Sequence, residues 1–113
     1  YHLSDPVVAL RILYNMCKKG GIILVETEGL NSEEPYCEFT GSLEHTSGNR
    51  EKLNRTGWNW FLPSPPSMTR MLLEAGFDDV KNSPMHGKRL FSYAKKKSFR
   101  GICKAGLSSP DLD

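Results

Sequence analysis

The sequence has few cysteines, and their spacing suits neither disulfide bonds nor metal binding. The 113 residues include three cysteines, an odd number, with no C-x-x-C pair and no paired histidines. This pattern predicts neither a disulfide framework nor a metal site. It is typical of a reducing, cytoplasmic setting.

Long apolar runs are also missing. No stretch approaches the roughly 20 apolar residues that a membrane-spanning helix needs, and no signal peptide is recognisable. We therefore predict no membrane partner. The length allows at most one domain and is short for a complete doubly wound α/β fold.

Charge is unevenly distributed, although the net charge is only +2. Acidic residues cluster in the first long connection and basic residues near the end. The acidic residues are Glu26, Glu28, Glu33, Glu34, Glu38 and Glu44, and the basic ones are Lys88, Arg89, Lys95, Lys96, Lys97, Arg100 and Lys104. The basic end could contact RNA phosphates, although such runs are more often solvated tails.

The opening stretch predicts a helix followed by a buried strand. Asp5 can accept from free backbone N–H groups as a cap, and Pro6 lacks a donor that would have no partner there. Gly20 or Gly21 would end the helix in the left-handed conformation. Residues 22–25 form a continuous, largely β-branched run, which is typical of a strand covered on both faces in a parallel sheet. The predicted inner face of the helix consists of Val7, Leu10, Leu13, Tyr14 and Cys17.

The strand that should precede this helix is not in the sequence. A strand–helix–strand crossover needs a first strand just before the helix, whereas only a few residues precede Asp5. We therefore expect the chain to be the C-terminal portion of a larger domain.

The middle of the sequence predicts a long connection and a second helix. Residues 28–63 show no sustained period and are expected to form a lid or insertion, with short structure around residues 36–39. Ser64 is a candidate N-cap, and Gly76 is the natural stop. Between them, Met68, Met71, Leu72 and Ala75 follow helical spacing.

Two strands complete the predicted order. Residues 79–81 and 90–94 show strand patterns and are close enough in sequence to pair antiparallel. We assign residues 1–96 to a partial domain and residues 97–113 to a basic, flexible tail.

The order helix, strand, long loop, helix, strand, strand resembles the C-terminal half of a class I S-adenosylmethionine-dependent methyltransferase. In that family an aromatic-His-Leu-x-Asp-Pro segment precedes a helix, Gly-Gly opens a strand ending in Glu-Thr, Ala-Gly-Phe closes a later helix, and the last strand enters the sheet antiparallel. The matching segments here are residues 1–6, 20–27, 75–77 and 89–95. The resemblance implies an α/β fold class, part of a Rossmann-like sheet with two main helices and about three strands, the last two forming an antiparallel hairpin.

The sequence is also similar to the enzymes that alkylate the 5-oxygen of the tRNA wobble uridine with a carboxylated S-adenosylmethionine. Residues 61–64 (Phe-Leu-Pro-Ser) and the Lys88-Arg89 pair carry this likeness. It implies S-adenosylmethionine or a carboxylated derivative as cofactor, with Tyr1 and Arg89 reaching the cofactor or its carboxylate. The acceptor would be a tRNA or a small molecule. The G-x-G-x-x-G turn of a cofactor site is absent from this sequence, so most of that site would lie elsewhere.

Two further residues are candidates, His2 for catalysis and Glu26 for substrate contact. His2 could orient substrate or act as a general base, because imidazole exchanges protons near neutral pH; alternatively, Tyr1 and His2 fix the start of the helix. Glu26 would lie at the carboxyl end of a strand, where open α/β sheets bind ligands, or would simply be solvated.

The aromatic cluster and the last strand also allow two readings. Trp58 and Trp60 could stack on a planar base, or could close the core under the long loop. Arg89 could bind a carboxylate through two parallel donors, or could be an exposed strand-edge residue.

Two hypotheses from other classes stay open. The chain could be a degenerate, non-enzymatic fragment that self-associates through the uncovered edge at residues 22–25. It could also be an RNA-binding module that uses the tryptophans and the basic tail.

Overall fold

The computed structural model describes residues 1–40 and 59–97, in which there are two helices and five strands. The helices are α1 (Pro6–Met16) and α2 (Pro65–Glu74), and the strands are β1 (Ile22–Glu28), β2 (Cys37–Phe39), β3 (Phe61–Pro63), β4 (Asp78–Asn82) and β5 (Arg89–Lys95). The predicted α/β class and the two main helices are confirmed. Trp58 and residues 98–113 of the predicted tail lie outside the described residues.

Three strands form the main sheet, in the order β1-β5-β4. Both pairings are antiparallel, and β5 pairs with β1 from Ile22↔Lys95 to Glu28↔Arg89. The predicted hairpin of the last two strands is confirmed, as is the position of the last strand inside the sheet. The second sheet consists of β2 and β3, which pair antiparallel.

The prediction of a parallel strand covered on both faces is wrong for β1 within the described residues. Ile23 and Val25 pack against the core, whereas Ile22 and Leu24 are 55% and 75% exposed. An apolar run therefore does not show how many of its faces are covered. Among the described strands β1 pairs only with β5, so the predicted open edge beside residues 22–25 is present.

Both helices contribute to a core on the other face of the sheet. The buried cluster combines residues of α1, α2 and β5 with the segment after α2: Leu10, Tyr14, Met68, Leu72, Ala75, Phe77, Leu90 and Ala94. The rings of Tyr14 and Phe77 meet edge to face, with their centroids 5.2 Å apart. Because burying one large apolar side chain stabilises a fold by roughly 1.5–3 kcal/mol, this cluster dominates the stability of the described part.

The details of α1 differ from the prediction. Asp5 occupies the N-cap position, but its side chain makes no cap hydrogen bond and instead accepts from the Ser4 hydroxyl at 2.7 Å. Leu13, predicted on the inner face, is 42% exposed. The helix already ends at Met16, and Gly20, with φ +82°, lies in the turn that follows.

Helix α2 follows its predicted pattern closely. The Ser64 hydroxyl accepts from the backbone N–H of Ser67 at 3.3 Å and caps the first turn. Met68 and Leu72 are buried, and Gly76 adopts φ +111° just after the helix. The cap, the apolar spacing and the glycine stop are therefore confirmed.

The basic triplet at the end of β5 is not uniformly solvated. Lys96 is only 1% exposed, and its ammonium group donates to the carbonyl oxygens of Tyr14 and Cys17 at 2.7 and 3.0 Å. Lys97 is exposed and pairs with Asp79 at 2.7 Å. The interpretation of the triplet as a solvated or phosphate-binding run is therefore wrong for Lys96, which binds the end of α1.

Candidate functional site

Three predicted site residues meet at one end of the sheet. The Arg89 Nη1 group donates to the phenol oxygen of Tyr1 at 2.9 Å and forms an ion pair with Glu26 Oε1 at 3.0 Å. The Arg89 guanidinium carbon lies 5.2 Å from the centroid of the Tyr1 ring. Residues 88 positions apart in sequence thus form one cluster.

The strand register explains how this cluster forms. Side chains alternate between the two faces of a strand, so Glu26 and Glu28 lie on the same face of β1. Their cross-strand partners on β5 are Phe91 and Arg89. Arg89 can therefore reach diagonally to Glu26 on the sheet face that the helices leave open.

The cluster favours a charged guanidinium. The hydrogen bond to Tyr1, followed by the nearby carboxylates of Glu26 and Glu28, raises the pKa of Arg89 above its ordinary value. Nη1 contacts both Tyr1 and Glu26, whereas a guanidinium carries five N–H donors in all. Its remaining donors can bind a carboxylate or phosphate in the paired geometry that arginine favours.

His2 and Trp60 both contact Tyr1. The rings of Tyr1 and His2 have centroids 4.0 Å apart, and His2 is exposed. The backbone N–H of Trp60 donates to the Tyr1 carbonyl oxygen at 2.7 Å, and the indole lies beside Phe39 at 6.3 Å between centroids. The structure therefore places Trp60 next to the cluster, while Trp58 lies outside the described residues.

A buried polar group beside the cluster escaped the sequence analysis. Asn59 is fully buried, and its side-chain N–H donates to Glu28 Oε2 at 2.9 Å. The Thr40 hydroxyl donates to the Asn59 carbonyl oxygen. One sequence signal was available: Glu28 follows Glu26 by two positions and therefore shares its face of the strand.

An apolar cavity of about 340 Å³ adjoins the cluster on the open face of the sheet. Glu26 belongs to both, and the side chains that line the cavity include Leu24, Phe91 and Tyr93. Phe91 is 46% exposed. The site therefore combines a charged end with a neighbouring apolar surface.

The described residues contain no group of three or more side chains suited to hold a metal ion. Neither described helix is long and apolar enough to cross a membrane.

The proteins that this chain resembles are tRNA-modifying transferases. They are curated tRNA U34 carboxymethyltransferases: that of Desulfotalea psychrophila is 30% identical over 80 residues, which are 71% of this chain. Those of Ectopseudomonas mendocina and Alteromonas mediterranea are 31% and 28% identical over 81 residues, 72% of the chain. The resemblance seen in the sequence is confirmed.

The match covers a small share of each relative. The chain spans only 22% of the length of these three proteins. No profile of a known protein family matches it. The similarity therefore extends to a part of the relatives, and their whole activity is not thereby assigned to this chain.

Proposed function

We propose that this chain is the C-terminal part of a Rossmann-like, S-adenosylmethionine-dependent transferase that modifies uridine in tRNA. The observation that carries the proposal is the contact between Tyr1 and Arg89 at 2.9 Å. These are the two residues for which the family resemblance implies contact with the cofactor. The names of the relatives support tRNA as the acceptor.

The described residues fit one end of the cofactor. The open donors of Arg89 suit a carboxylate, such as that of a carboxylated S-adenosylmethionine. Tyr1 offers a ring beside the guanidinium, and the open apolar cavity next to Glu26 offers a surface for apolar parts of a ligand. The sequence contains no G-x-G-x-x-G turn, so this chain contributes part of a site rather than a whole one.

The chemistry asks mainly for positioning. The bound cofactor supplies an electrophilic carbon on a sulfonium group. Arg89 and Tyr1 would hold the additional carboxylate of the carboxylated cofactor, while Trp60 and Glu26 would orient the acceptor. Since alignment alone can contribute roughly 7–11 kcal/mol of a barrier, residues of this kind outweigh acid–base groups. His2 would take the proton that the 5-hydroxyl of the wobble uridine releases when its oxygen bonds to the transferred carbon and the thioether sulfur leaves.

The domain limits and the setting belong to the same proposal. Residues 1–96 form the transferase portion, in which residues 28–63 are an insertion that contributes β2 and β3. Residues 97–113 are a basic tail. A protein that modifies tRNA would act in the cytoplasm.

The test is a transferase assay on the protein as cells make it, with any sequence that its reading frame adds to these residues. The assay combines a tRNA that carries 5-hydroxyuridine at the wobble position with plain or carboxylated cofactor, and mass spectrometry of nucleosides detects alkylation of that oxygen. Arg89→Gln should weaken binding of the carboxylated cofactor by roughly 10- to 150-fold, since hydrogen bonds to charged groups contribute about 1.5–3 kcal/mol. It should affect the plain cofactor little.

Lys19→Gln is the matched control, because Lys19 is exposed in the turn after α1. Absence of modified uridine with both cofactors would refute the proposed function. Equal weakening of both cofactors by Arg89→Gln would refute the carboxylate assignment alone.

A second candidate function is supported by the open face and edge of the sheet. Leu24 is 75% exposed and Ile22 is 55% exposed, and both lie on β1, the edge strand of the described sheet. Exposed apolar side chains beside unpaired strand edges are typical of surfaces that associate. The alternative function is therefore an interaction module that binds a second copy through β1.

A further inference from the structure

The buried Asn59–Glu28 pair lies at the junction of two distant segments. Asn59 is 0% exposed and Glu28 is 9% exposed, and they are joined by a hydrogen bond of 2.9 Å across 31 positions of sequence. Burial of a carboxylate is unfavourable unless hydrogen bonds replace its lost water. A carboxylate at this position therefore calls for a role that an apolar residue could not fill.

The pair fixes the backbone that holds Tyr1. Asn59 immediately precedes Trp60, whose N–H donates to the Tyr1 carbonyl oxygen at 2.7 Å. Thr40 holds the same segment from the other side: its hydroxyl donates to the Asn59 carbonyl, and its N–H donates to the Trp60 carbonyl at 2.9 Å. Movement of Asn59 would therefore move the partner of Tyr1.

The contacts close into a ring at the candidate site. Glu28 is the last residue of β1 and lies directly opposite Arg89 in the register. Arg89 contacts Tyr1, and Tyr1 contacts Trp60. Trp60 follows Asn59 in the chain, and the side chain of Asn59 donates to Glu28. Each member of the ring thus restrains the distance between the Tyr1 phenol and the Arg89 guanidinium.

One side-chain atom of Asn59 does not contribute to stability. The side-chain oxygen of Asn59 is buried and has no hydrogen-bond partner among the described residues. A buried unsatisfied oxygen is destabilising and calls for an explanation. The unpaired oxygen is explained if the amide of Asn59 holds neighbouring residues in position and does not mainly stabilise the fold.

We propose that Glu28 and Asn59 are positioning residues that set the separation of Tyr1 and Arg89. The assignment rests on the proposed function in one respect, because it treats that separation as a property of the cofactor site. The contact itself can be measured without any cofactor.

The test is nuclear magnetic resonance on the isotopically labelled protein as cells make it. Asn59→Asp places a second carboxylate against Glu28, and the repulsion should at least halve the nuclear Overhauser effect between the Tyr1 ring and the Arg89 side chain. The cross-strand amide signals of the Ile23↔Ala94 pair should persist, because they lie at the other end of the sheet.

Exchanging the carboxylate and the amide between positions 28 and 59 should restore the Tyr1–Arg89 contact. In the double variant Asn59→Asp with Glu28→Gln, the new carboxylate can accept from the new amide, so the Tyr1–Arg89 signal should return. Glu28→Gln alone should keep the signal, since its amide oxygen still accepts from Asn59. Asn31→Asp, at an exposed asparagine, is the control and should change nothing.

Two results would overturn the proposal: an unchanged Tyr1–Arg89 signal in Asn59→Asp, or failure of the double variant to restore it. If Asn59→Asp also loses the Ile23↔Ala94 signals, it has not folded, and Thr40→Val replaces it, since it removes the hydroxyl that holds the Asn59 carbonyl. Thr40→Val should then weaken the Tyr1–Arg89 signal, and an unchanged signal in that variant would overturn the proposal. A transferase assay without activity would refute the proposed function while leaving this result intact.

Discussion

Lys96 binds the end of α1 through the carbonyl oxygen of Tyr14, 2.7 Å from its ammonium nitrogen, and the same nitrogen lies 4.1 Å from the centroid of the Tyr14 ring. A cation here meets the negative end of the helix dipole and the face of an aromatic ring. One lysine thereby joins the end of the main sheet to the first helix.

Replacement of this lysine should destabilise the fold. Lys96→Met keeps the buried stem but removes both hydrogen bonds and the cation over the ring, so the free energy of unfolding should fall by about 2 kcal/mol. Urea denaturation followed by circular dichroism measures the change. Lys97→Met is the control, because Lys97 is exposed and pairs only on the surface with Asp79. An equal effect of both substitutions would contradict the special role of Lys96.

The glycine after α2 should tolerate no side chain. Gly76 has φ +111°, and an added Cβ would lie 3.0 Å from the Tyr14 ring, which is itself buried. Backbone strain and the clash together predict that Gly76→Ala lowers the free energy of unfolding by about 3 kcal/mol.

Gly87 provides the comparison, since it also has positive φ, +61°, but an added Cβ would meet nothing within 4 Å. Gly87→Ala should therefore cost only about 1 kcal/mol, the backbone strain alone. Thermal denaturation of the two variants measures the difference. Equal melting temperatures would show that the Tyr14 ring moves aside without cost.

How much of this fold the sequence predicts depends on the range of the contacts. The cap at Ser64, the spacing of Met68 and Leu72 and the stop at Gly76 are local features, and all were predicted. The burial of Lys96 was not, because it depends on the end of β5 meeting the end of α1, which no local pattern encodes.

In the candidate site too, contacts between distant residues were not predictable from local sequence patterns. Tyr1 and Arg89 were predicted together only through a family resemblance, since 88 positions separate them. Asn59 and Glu28 were missed because a buried amide–carboxylate pair has no periodic signature. The two faces of β1 were misjudged because apolar residues alternate there between a covered and an uncovered side.

The thiol of Cys37 should react slowly near neutral pH. Burial raises its pKa above the ordinary value, and a hydrogen bond with Ser67 opposes this shift only in part. In a variant with serine at Cys17 and Cys103, the rate of reaction with a disulfide reagent should rise steeply only above pH about 8.5, the ordinary thiol range. Ser67→Ala should move the rise to higher pH, and a shift to lower pH would contradict the assigned hydrogen bond.

The same shift predicts a pH dependence of stability. The folded protein holds the Cys37 proton more tightly than the unfolded chain does, so this contribution is complete below the unfolded pKa and is lost as pH rises through the folded pKa. The free energy of unfolding should therefore fall above pH about 8.5 more steeply in the protein than in Cys37→Ser. Identical slopes would indicate that the thiol pKa does not change on folding.

The open face of the sheet should make the chain associate as its concentration rises. Leu24, 75% exposed on β1, lies beside the unpaired edge of the described sheet. A lysine at that position opposes both apolar contact and edge pairing, so Leu24→Lys should shift the chain toward the monomer. Light scattering coupled to size-exclusion chromatography measures the mass over a dilution series.

Leu73→Lys is the matched control, because Leu73 is also exposed, at 45%, but lies on α2. It should leave the mass unchanged at every concentration. If the unmodified chain is a monomer throughout, the interaction-module alternative fails. If both lysine variants dissociate the chain equally, association follows from net charge rather than from β1. Only a response confined to Leu24 ties association to the edge strand, because Leu73 matches it in chemistry and differs in location.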